Sequence, residues 1–440
     1  KALPRRPILG GLRRPGSASN GQQSGSLRAR RLQRQQEAQK AERRQENVGG
    51  YTWSFRVNNG EAEIVASGRG CAISPMPTGN LVVPSTLGGA KVTAIGQEAF
   101  IGCSGLKSLE IPDSVTKIGR DSFQGCSGLT ALSFPSSVTE IGIGAFIGCS
   151  GLTSVTISPN LVRIGYAAFS ECDGLKQINV DAGNPSYASI DGVLYTKNGK
   201  TLVQCPCGAD SVVLPSGLEN IYCHSLRGCR QLKSLTVPPS VTTIGVWAFA
   251  RCDGLESITL PQGVTTIHDD AFRECGSLKS LSLPDSVTDI GGAAFRLCTN
   301  LTFVTIPANV ARIGVAAFTE CSALKRIDVA ADNPEYVSID GVLYTKDIKE
   351  VVLCPGAATS VTVPESVTNI KPCAFEACEG LTSVTLPECV TNIGPYAFKR
   401  CVKLTSLSIP EGVTSIGRDA LMECHGLTSL TLPNSMTNIG

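Results

Sequence analysis

From about residue 90 onwards, the chain repeats one pattern of hydrophobic and polar positions at a fixed interval. In the stretch 99–119, AFIGCSGLKSLEIPDSVTKIG, a phenylalanine, a cysteine and a leucine hold fixed places. The phenylalanines recur at Phe100, Phe123, Phe146 and Phe169, and the cysteines and leucines keep step with them. A constant period of this kind is the signature of stacked repeats, in which each unit buries its apolar side against its neighbours. The pattern therefore predicts a repeat solenoid.

Within one repeat, the positions alternate as in a short strand and then turn back. Leu109 and Ile111 point inward, and Pro112 ends the strand because it has no amide hydrogen to donate. The return half continues to Ile118, and Gly119 is expected to permit a tight bend. This half has room for one short strand and a helical turn. Counting the strand cores from residue 81 to residue 432 predicts about fifteen rungs, mostly β with short helical turns.

Two rungs are longer than the others. Their extra residues are NPSYASIDGVLYTKNGKTLVQCP at 184–206 and NPEYVSIDGVLYTKDIKEVVLCP at 333–355. Both stretches alternate like strands around a turn, so each predicts a projecting β-hairpin that replaces the return half of its rung. The distance along the chain between the two inserts equals one long rung and five short ones. This spacing indicates growth by duplication of a whole block.

Residues 50–80 lead into the repeat array at 81–440. Tyr51, Trp53 and Phe55 alternate with polar residues ahead of a turn at Asn58-Asn59-Gly60, which predicts a β-hairpin. Such a hairpin would cap the first rung, which an array needs for solubility. The sequence stops within a repeat, so we expect either that the native protein continues or that this end meets a partner.

Residues 1–49 form a basic arm. They carry twelve Lys or Arg against three Glu, whereas the whole chain has a net charge of only +2. The first part is rich in Arg, Pro, Gly and Ser, which predicts disorder, and 27–47 predicts a polar helix with almost no apolar face. Charge alone would allow the arm to bind an acidic partner. A solvated linker is the simpler interpretation, and we do not expect nucleic acid as the partner.

No apolar run approaches the ~18–20 residues that a membrane helix requires, and the start shows no secretory signal. Of the 19 cysteines, twelve fall at one position of the repeat. A residue that recurs at the same position of every turn stacks on the equivalent residue of the next turn. These cysteines therefore predict a buried ladder of free thiols. Disulfides along the stack are disfavoured, because the side chains would have to turn towards each other.

The sequence offers little for catalysis. His224, His268 and His425 lie in different rungs, and no third group recurs to orient a Cys–His pair. Cys205-Pro206-Cys207 lacks the spacing of a zinc site and predicts a strand-end turn with incidental thiols. No glycine-rich phosphate loop opens a helix. We therefore expect no enzymatic activity, no metal and no cofactor.

Binding is better supported, because a few rungs break the outward Ser/Thr pattern of the strands. Phe303, Arg326 and Asp328 lie beside the second insert, and exposed aromatic and Arg side chains are enriched at interface hot spots. A lone exposed Phe with a cross-strand ion pair remains the alternative. A second set of candidates lies where the return halves vary most.

This second set is Tyr166, Tyr222 and Trp247, with Tyr396 at a similar place further along. The first three flank the first insert, so they predict either an aromatic contact cluster or filling of irregular volume.

The units LTSVTLPECVTNIGPYAFKRC (381–401) and SGLTSVTISPNLVRIGYAAFSEC (150–172) resemble BspA-like leucine-rich repeats, as do the NPxYxSIDGVLYTK inserts and TWSFRVNNGEAEI (52–64). The resemblance covers about residues 50–440. It implies a right-handed superhelix that binds other proteins, with no catalytic residue to transfer.

Members of this class are typically surface or secreted proteins of bacteria and some protists, and eukaryotic relatives also occur inside cells. Two functions therefore stay open. One is a non-catalytic protein-binding or adhesion module at the cell surface. The other is an intracellular scaffold subunit, tethered to a larger assembly by its basic arm.

Overall fold

The computed structural model describes residues 42–68 and 70–440, so most of the predicted arm lies outside the described residues. The chain is a β-solenoid of about 16 turns, as the repeat pattern predicted. Each regular turn has a front strand, a two-residue return strand and a third side of hydrogen-bonded turns. Front strands stack in parallel on front strands and return strands on return strands. The side chains that point inward from all three sides form the core.

The N-terminal cap and its junction with the array contain seven strands. They are β1 (Arg44–Val48), β2 (Tyr51–Asn58), β3 (Glu61–Ile64), β4 (Ile73–Ser74), β5 (Gly79–Val82), β6 (Thr86–Leu87) and β7 (Ala90–Ile95). β2 and β3 form the antiparallel hairpin around Asn58-Asn59-Gly60, and β3 then pairs in parallel with β7. β1 pairs with β2 and lies within 1–49, so the folded cap begins before the expected boundary at residue 50. The polar helix expected over 27–47 is therefore wrong at its end, where pairing with β2 makes residues 44–47 a strand, and 27–41 lie outside the described residues.

The first block of repeats and the first insert follow. The block contains β8 (Leu106–Glu110), β9 (Lys117–Ile118), β10 (Ala131–Leu132), β11 (Glu140–Ile141), β12 (Ser154–Ile157), β13 (Arg163–Ile164) and β14 (Gln177–Val180). The insert contains β15 (Tyr187–Ile190), β16 (Val193–Thr196) and β17 (Thr201–Gln204).

The second block and the second insert repeat this order. The block contains β18 (Asn220–Ile221), β19 (Ser234–Thr236), β20 (Thr243–Ile244), β21 (Ser257–Thr259), β22 (Thr266–Ile267), β23 (Asp289–Ile290), β24 (Phe303–Ile306), β25 (Arg312–Ile313) and β26 (Arg326–Val329). The insert contains β27 (Tyr336–Ile339), β28 (Val342–Thr345) and β29 (Glu350–Leu353).

The third block runs to the end of the chain. It contains β30 (Ser360–Thr362), β31 (Asn369–Ile370), β32 (Ser383–Thr385), β33 (Asn392–Ile393), β34 (Ser406–Ser408), β35 (Ser415–Ile416), β36 (Ser429–Thr431) and β37 (Asn438–Ile439). Two expected strand cores are irregular. Residues 212–214 form no strand, and in 281–283 only Leu281 makes a bridge, to Val304.

The described residues contain no helix, so the expected short helical turns are absent. The reason is visible in the backbone of the third side. Almost every repeat has two residues with positive φ there, four positions apart, as at Trp247 (57°) and Arg251 (61°). A right-handed helix needs negative φ at every residue, so this alternation gives tight turns instead.

The glycine that follows the return strand has a different role from the bend expected at Gly119. At Gly142, an added Cβ would lie 2.6 Å from the backbone nitrogen of Arg120 and 2.6 Å from the carbonyl carbon of Gly119, both in the preceding turn. Glycine is therefore required here because two backbones approach closely, while its φ stays outside the left-handed region.

The phenylalanines and cysteines of the third side form two parallel columns in the core. Phe100, Phe123 and Phe146 stack with ring centroids 4.9 and 5.1 Å apart and nearly parallel planes. Most of the cysteine thiols donate a hydrogen bond to the phenylalanine carbonyl of the turn before them, as Cys149 does to Phe123 at 3.3 Å. All 19 cysteines are free thiols, and sixteen of them are buried.

Each insert lies within the solenoid and does not project from it. The third strand of the first insert, β17, pairs in parallel with β18 and thus takes the place of a return strand. The middle strand, β16, is buried on both sides. Leu194 packs with the core that precedes the insert, and Val193 and Tyr195 pack with the core that follows it. Successive residues of a strand point to opposite sides, so β16 forms the boundary between two hydrophobic cores and contributes side chains to both.

The Asn-Pro-x-Tyr segment that leads into β15 and ends on its first residue closes the block that comes before it. The Asn184 amide donates to the carbonyls of Ser158 (2.8 Å) and Leu161 (2.9 Å). The Tyr187 hydroxyl accepts from the amide of Ile164 at 3.0 Å. This bond satisfies a backbone amide of β13, which is the last strand of its sheet and has no further strand to pair with. Asn333 and Tyr336 make the equivalent bonds in the second insert.

Candidate functional site

The six candidate contact residues fall in two places. Phe303, Arg326 and Asp328 lie on the front of the solenoid at the second insert, and we call them the front patch. Tyr166, Tyr222 and Trp247 lie on the third side at the first insert. The two places differ in how far their polar groups are already paired within the protein.

The front patch is formed by two adjacent parallel strands. β24 pairs with β26 so that Phe303 lies beside Arg326 and Thr305 beside Asp328. The Phe303 side chain is 47% exposed, although most large apolar residues of the array are buried. Arg326 Nε donates to Asp328 Oδ2 at 3.0 Å. This ion pair lies within one strand, two residues apart, and not across strands as the sequence suggested.

An open groove adjoins the front patch. Its volume is about 650 Å³, and its lining includes Arg326, Asp328, Tyr336, Asp340 and Lys346. The floor comes from β26 and one wall from the second insert, because the Gly341 carbonyl in the β27–β28 turn accepts from the amide of Ile327 at 3.0 Å. An added Cβ at Gly341 would lie 2.8 Å from Arg326 Cβ, so the turn rests directly on this strand.

The first insert has the same backbone but a different front. In its rung, the positions that correspond to Arg326 and Asp328 hold Gln177 and Asn179, which carry no charge. Asp191-Gly192 forms the equivalent turn, and the Gly192 carbonyl accepts from the amide of Ile178 at 2.8 Å. The two inserts therefore differ at the two outward positions of the front strand, which are charged at the second insert and uncharged at the first.

On the third side, the structure brings Tyr166 and Tyr222 together. Their rings are 5.1 Å apart between centroids, and their hydroxyl oxygens are 3.2 Å apart. They become neighbours because the insert adds no regular turn to the third side. Tyr222 follows the return strand β18, at the position that glycine holds in most repeats. The strand stacked before β18 is β17 of the insert. Burial, followed by the hydrogen bond with Tyr166, raises the pKa of Tyr222 above its usual value.

Trp247 does not join this tyrosine pair but stacks on His224, with parallel rings 6.1 Å apart between centroids. The guanidinium carbons of Arg227 and Arg273 lie 5.3 and 5.2 Å from the centre of its ring. Burial, and then the charge of Arg227, lowers the pKa of His224 to about 4, so the imidazole is neutral at pH 7. Tyr396, at the same place in the third block, has Lys399 over its ring at 5.4 Å.

The arginines around Trp247 already have carboxylate partners. Arg227 binds Glu171 at 2.9 Å, and Arg273 binds Asp270 and Glu274, each at 3.2 Å. The tryptophan is therefore held in an internal network, which leaves little cationic charge for a ligand.

Sequence reasoning missed the ion pairs that span the inserts. Glu171, whose side chain is 13% exposed, binds Arg251 at 2.7 Å although the two are far apart in sequence. Glu320 and Arg400 repeat this pair at 2.5 Å in the next block. Glu320 follows Glu171, and Arg400 follows Arg251, by the same number of residues that separates the second insert from the first. That shared spacing is the signal that identifies both pairs.

The described residues contain no group of three or more His, Cys, Asp or Glu placed to hold a metal ion. Cys205 and Cys207 are buried; Cys207 donates to the carbonyl of Arg227 at 3.4 Å, so both are core residues. His268 and His425 are exposed and stand apart from His224. Within residues 42–68 and 70–440, no helix is long and apolar enough to cross a membrane.

Comparison with solved structures finds similar solenoids in bacterial proteins. A leucine-rich repeat protein of Eubacterium ventriosum is 21% identical, with 90% of this chain and 98% of that chain covered and a TM-score of 0.48. The pneumococcal vaccine antigen PcpA is 20% identical, with 74% and 93% covered and a TM-score of 0.49. A leucine-rich repeat protein of Bacteroides ovatus is 23% identical, with 90% of each chain covered and a TM-score of 0.39.

No curated protein sequence matches the chain. The model of the BspA type leucine rich repeat region matches six copies, over residues 83–190, 202–325 and 347–440. These ranges include most of the front strands, though not β26, together with the return strands of the regular turns and the cysteine column described above. Because they cover well over half of the sequence, the chain belongs to the BspA-type leucine-rich repeat family.

Proposed function

We propose that the chain is a non-catalytic protein-binding or adhesion module whose contact surface is centred on the front patch and its groove. The single observation that carries the proposal is the exposure of Phe303, an aromatic side chain, beside a charged pair on a front whose outward positions are mostly Ser and Thr. Proteins with leucine-rich repeats generally bind other proteins and are generally not catalysts. The family thus supports binding, and the patch supplies a position for it.

The chemistry of the patch favours a protein partner with both an apolar and a charged group. Phe303 offers an aromatic surface, and Arg326 offers a planar donor that suits a carboxylate or a backbone carbonyl. The exposed fractions of the Arg326 and Asp328 side chains are 64% and 38%, so both can exchange their mutual contact for one with a partner. An exposed ion pair of this kind contributes at most about 1 kcal/mol to stability, so this exchange costs little.

The aromatic residues of the third side are the second candidate surface. Tyr166, Tyr222 and Trp247 are partly exposed, but their polar neighbours are paired within the protein. We therefore rank this surface below the front patch.

The test uses the full chain as bait in extract of its native source, with the captured proteins quantified by mass spectrometry. Phe303→Ala should weaken binding of the specific partner about 30-fold, the loss of about 2 kcal/mol expected for a hot-spot residue. The double variant Arg326→Gln/Asp328→Asn gives the front of the second insert the residues of the first, and it should also lose the partner. Val315→Ala, an exposed apolar residue beyond the return strand, is the matched control.

The chain also offers a gain-of-function variant. Gln177→Arg/Asn179→Asp should create a charged pair at the first insert without changing the fold. A partner retained by Phe303→Ala and by the double variant alike would refute the front patch. A partner lost only when residues 1–41 are removed, a deletion that leaves β1 in place, would instead support the scaffold function, in which the basic arm is the tether.

A further inference from the structure

The cysteine column of the third side has one irregular end. Nine of its members donate their thiol hydrogen to a backbone carbonyl of the preceding turn, as Cys126 does to Phe100 at 3.2 Å. This arrangement needs a preceding repeat to supply the carbonyl. Cys103 is the first cysteine of the column, and the N-terminal cap precedes it in place of a repeat.

The cap supplies a second thiol at this point. Cys71 Sγ lies 3.2 Å from Cys103 Sγ, and the two residues are 7% and 1% exposed. The backbone around Cys71 is held firmly against the first repeat, because Ala72 donates its amide to the carbonyl of Ala99 at 2.6 Å. The Ser67 hydroxyl donates to the Cys71 carbonyl at 2.6 Å from within the cap.

We propose that Cys71 and Cys103 are a disulfide-forming site that fastens the cap to the first repeat when a disulfide oxidant such as oxidised glutathione is present. The two thiols lose two protons and two electrons and form one S–S bond. Oxidised glutathione takes them up and leaves as two molecules of reduced glutathione. A bond of about 2.05 Å requires the sulfurs to approach by only about 1 Å, which small side-chain rotations supply.

The folded protein should form this bond slowly and keep it once formed. Hydrogen bonding between the two thiols, together with burial, raises the pKa of Cys71, and the pKa of Cys103 is raised to about 12, first by its hydrogen bond with Cys126. Thiolate, the reactive species, is therefore scarce. The bond is expected to form while the cap is still folding. It would be oxidised in an extracellular setting and reduced in a cytosolic one, and it is independent of the binding function proposed above.

The sequence permits a direct test, because trypsin separates the two cysteines into peptides 70–91 and 92–107, each with one cysteine. The full chain is refolded from denaturant in a buffer of reduced and oxidised glutathione, its native content is checked by circular dichroism, and free thiols are alkylated at low pH. We expect a linked peptide two hydrogens lighter than the sum of the two. Peptide 121–163 contains Cys126 and Cys149 and is the internal control, expected to stay reduced.

A native-like product without this link would overturn the proposal, and so would a link from peptide 92–107 to 121–163. The second readout is hydrogen exchange of the cap amides of Ser54 and Ala72, which bond to Ala72 and Ala99. Oxidation should slow their exchange about 100-fold. The disulfide closes the loop from 71 to 103, which lowers the conformational entropy of the locally unfolded cap and makes its opening less favourable. Cys71→Ala should abolish this difference and Cys126→Ala should retain it. If Cys71→Ala fails to fold, the oxidised and reduced wild-type proteins still provide the comparison.

Discussion

Replacing Asn333 with alanine should open the junction between the second block and the second insert. Asn333 is fully buried, and its side chain makes four hydrogen bonds to the backbone. The amide donates to the carbonyls of Pro307 (2.8 Å) and Val310 (3.1 Å). The side-chain carbonyl accepts from the amides of Glu335 and Tyr336, both at 2.8 Å. Alanine removes all four bonds and leaves the backbone groups buried.

The magnitude follows from the number of bonds. A buried hydrogen bond contributes about 1 kcal/mol net, so Asn333→Ala should cost about 3–5 kcal/mol in local stability. Asn333→Asp keeps the acceptor for two amides but turns a carboxylate oxygen towards the carbonyls of Pro307 and Val310 in a buried site, so it should cost at least as much as Asn333→Ala. Asn309→Ala is the control, because Asn309 is exposed and makes one such bond, to the carbonyl of Asp285 at 2.8 Å. It should cost less than about 1 kcal/mol.

Hydrogen exchange is the suitable assay, because the core is divided at the inserts and a single unfolding transition is not expected. The amide of Ile313, which donates to the Tyr336 hydroxyl at 3.1 Å, reports on the junction. Its exchange should accelerate little in Asn309→Ala and strongly in both Asn333→Ala and Asn333→Asp. Equal rates in Asn333→Ala and Asn309→Ala would refute the claim that this asparagine holds the insert to the block.

Two further changes test the third side and the return strand. The lowered pKa of His224 means that the unfolded chain binds a proton near pH 6.5 and the folded chain only near pH 4, so stability should fall as pH drops between these values. The loss should be about 1–2 kcal/mol, less than the full shift gives because the ring is partly exposed. Trp247 fluorescence during urea unfolding measures this loss, and it should vanish in His224→Asn but persist in His268→Asn. Gly142→Ala should cost about 2–3 kcal/mol, because its methyl group would overlap the preceding backbone. Gly217→Ala, with open space around its Cα, is the matched control in thermal unfolding and should be neutral.

The repeat architecture was predictable because a solenoid depends on local spacing. Phenylalanine, cysteine and leucine recur at one period, and a side chain that stacks on its own copies must have the same environment in each turn. The absence of helices from the described residues was not predictable from composition, because Trp247, Arg251 and Glu171 are not residues that usually adopt positive φ. Their conformation is imposed by the hydrogen bonds of adjacent turns, which sequence spacing does not display.

The inserts show a second limit of the sequence. Alternation predicted strands around a turn, and the strands are present, but the apolar character of both faces of β16 was needed to see that the insert lies inside the stack. Val193, Leu194 and Tyr195 are all apolar, and a strand with no polar face is buried on both sides. The run Val-Leu-Tyr in 184–206 and again in 333–355 contained this information.

The candidate site was predictable only as a list of exceptions. Phe303, Arg326 and Asp328 stood out because they break the Ser/Thr pattern of the front, and the parallel register then places them side by side. The groove could not be found in this way, because it depends on how the β27–β28 turn rests on β26. The tyrosine pair likewise depends on the insert, which makes Tyr166 and Tyr222 neighbours although they are far apart in sequence.

The two blocks, compared position by position, separate structural residues from residues free to change. The positions that close each block are the same in both: asparagine and tyrosine at the insert, and the glutamate–arginine pair that spans it. The front positions differ, since Gln177 corresponds to Arg326 and Asn179 to Asp328. A solenoid requires its junctions to stay intact, whereas an outward side chain of a front strand contributes little to stability. Divergence at the front beside intact junctions indicates that the fold does not dictate the residues at these positions, which leaves the front of the second insert free to carry the contact surface proposed above.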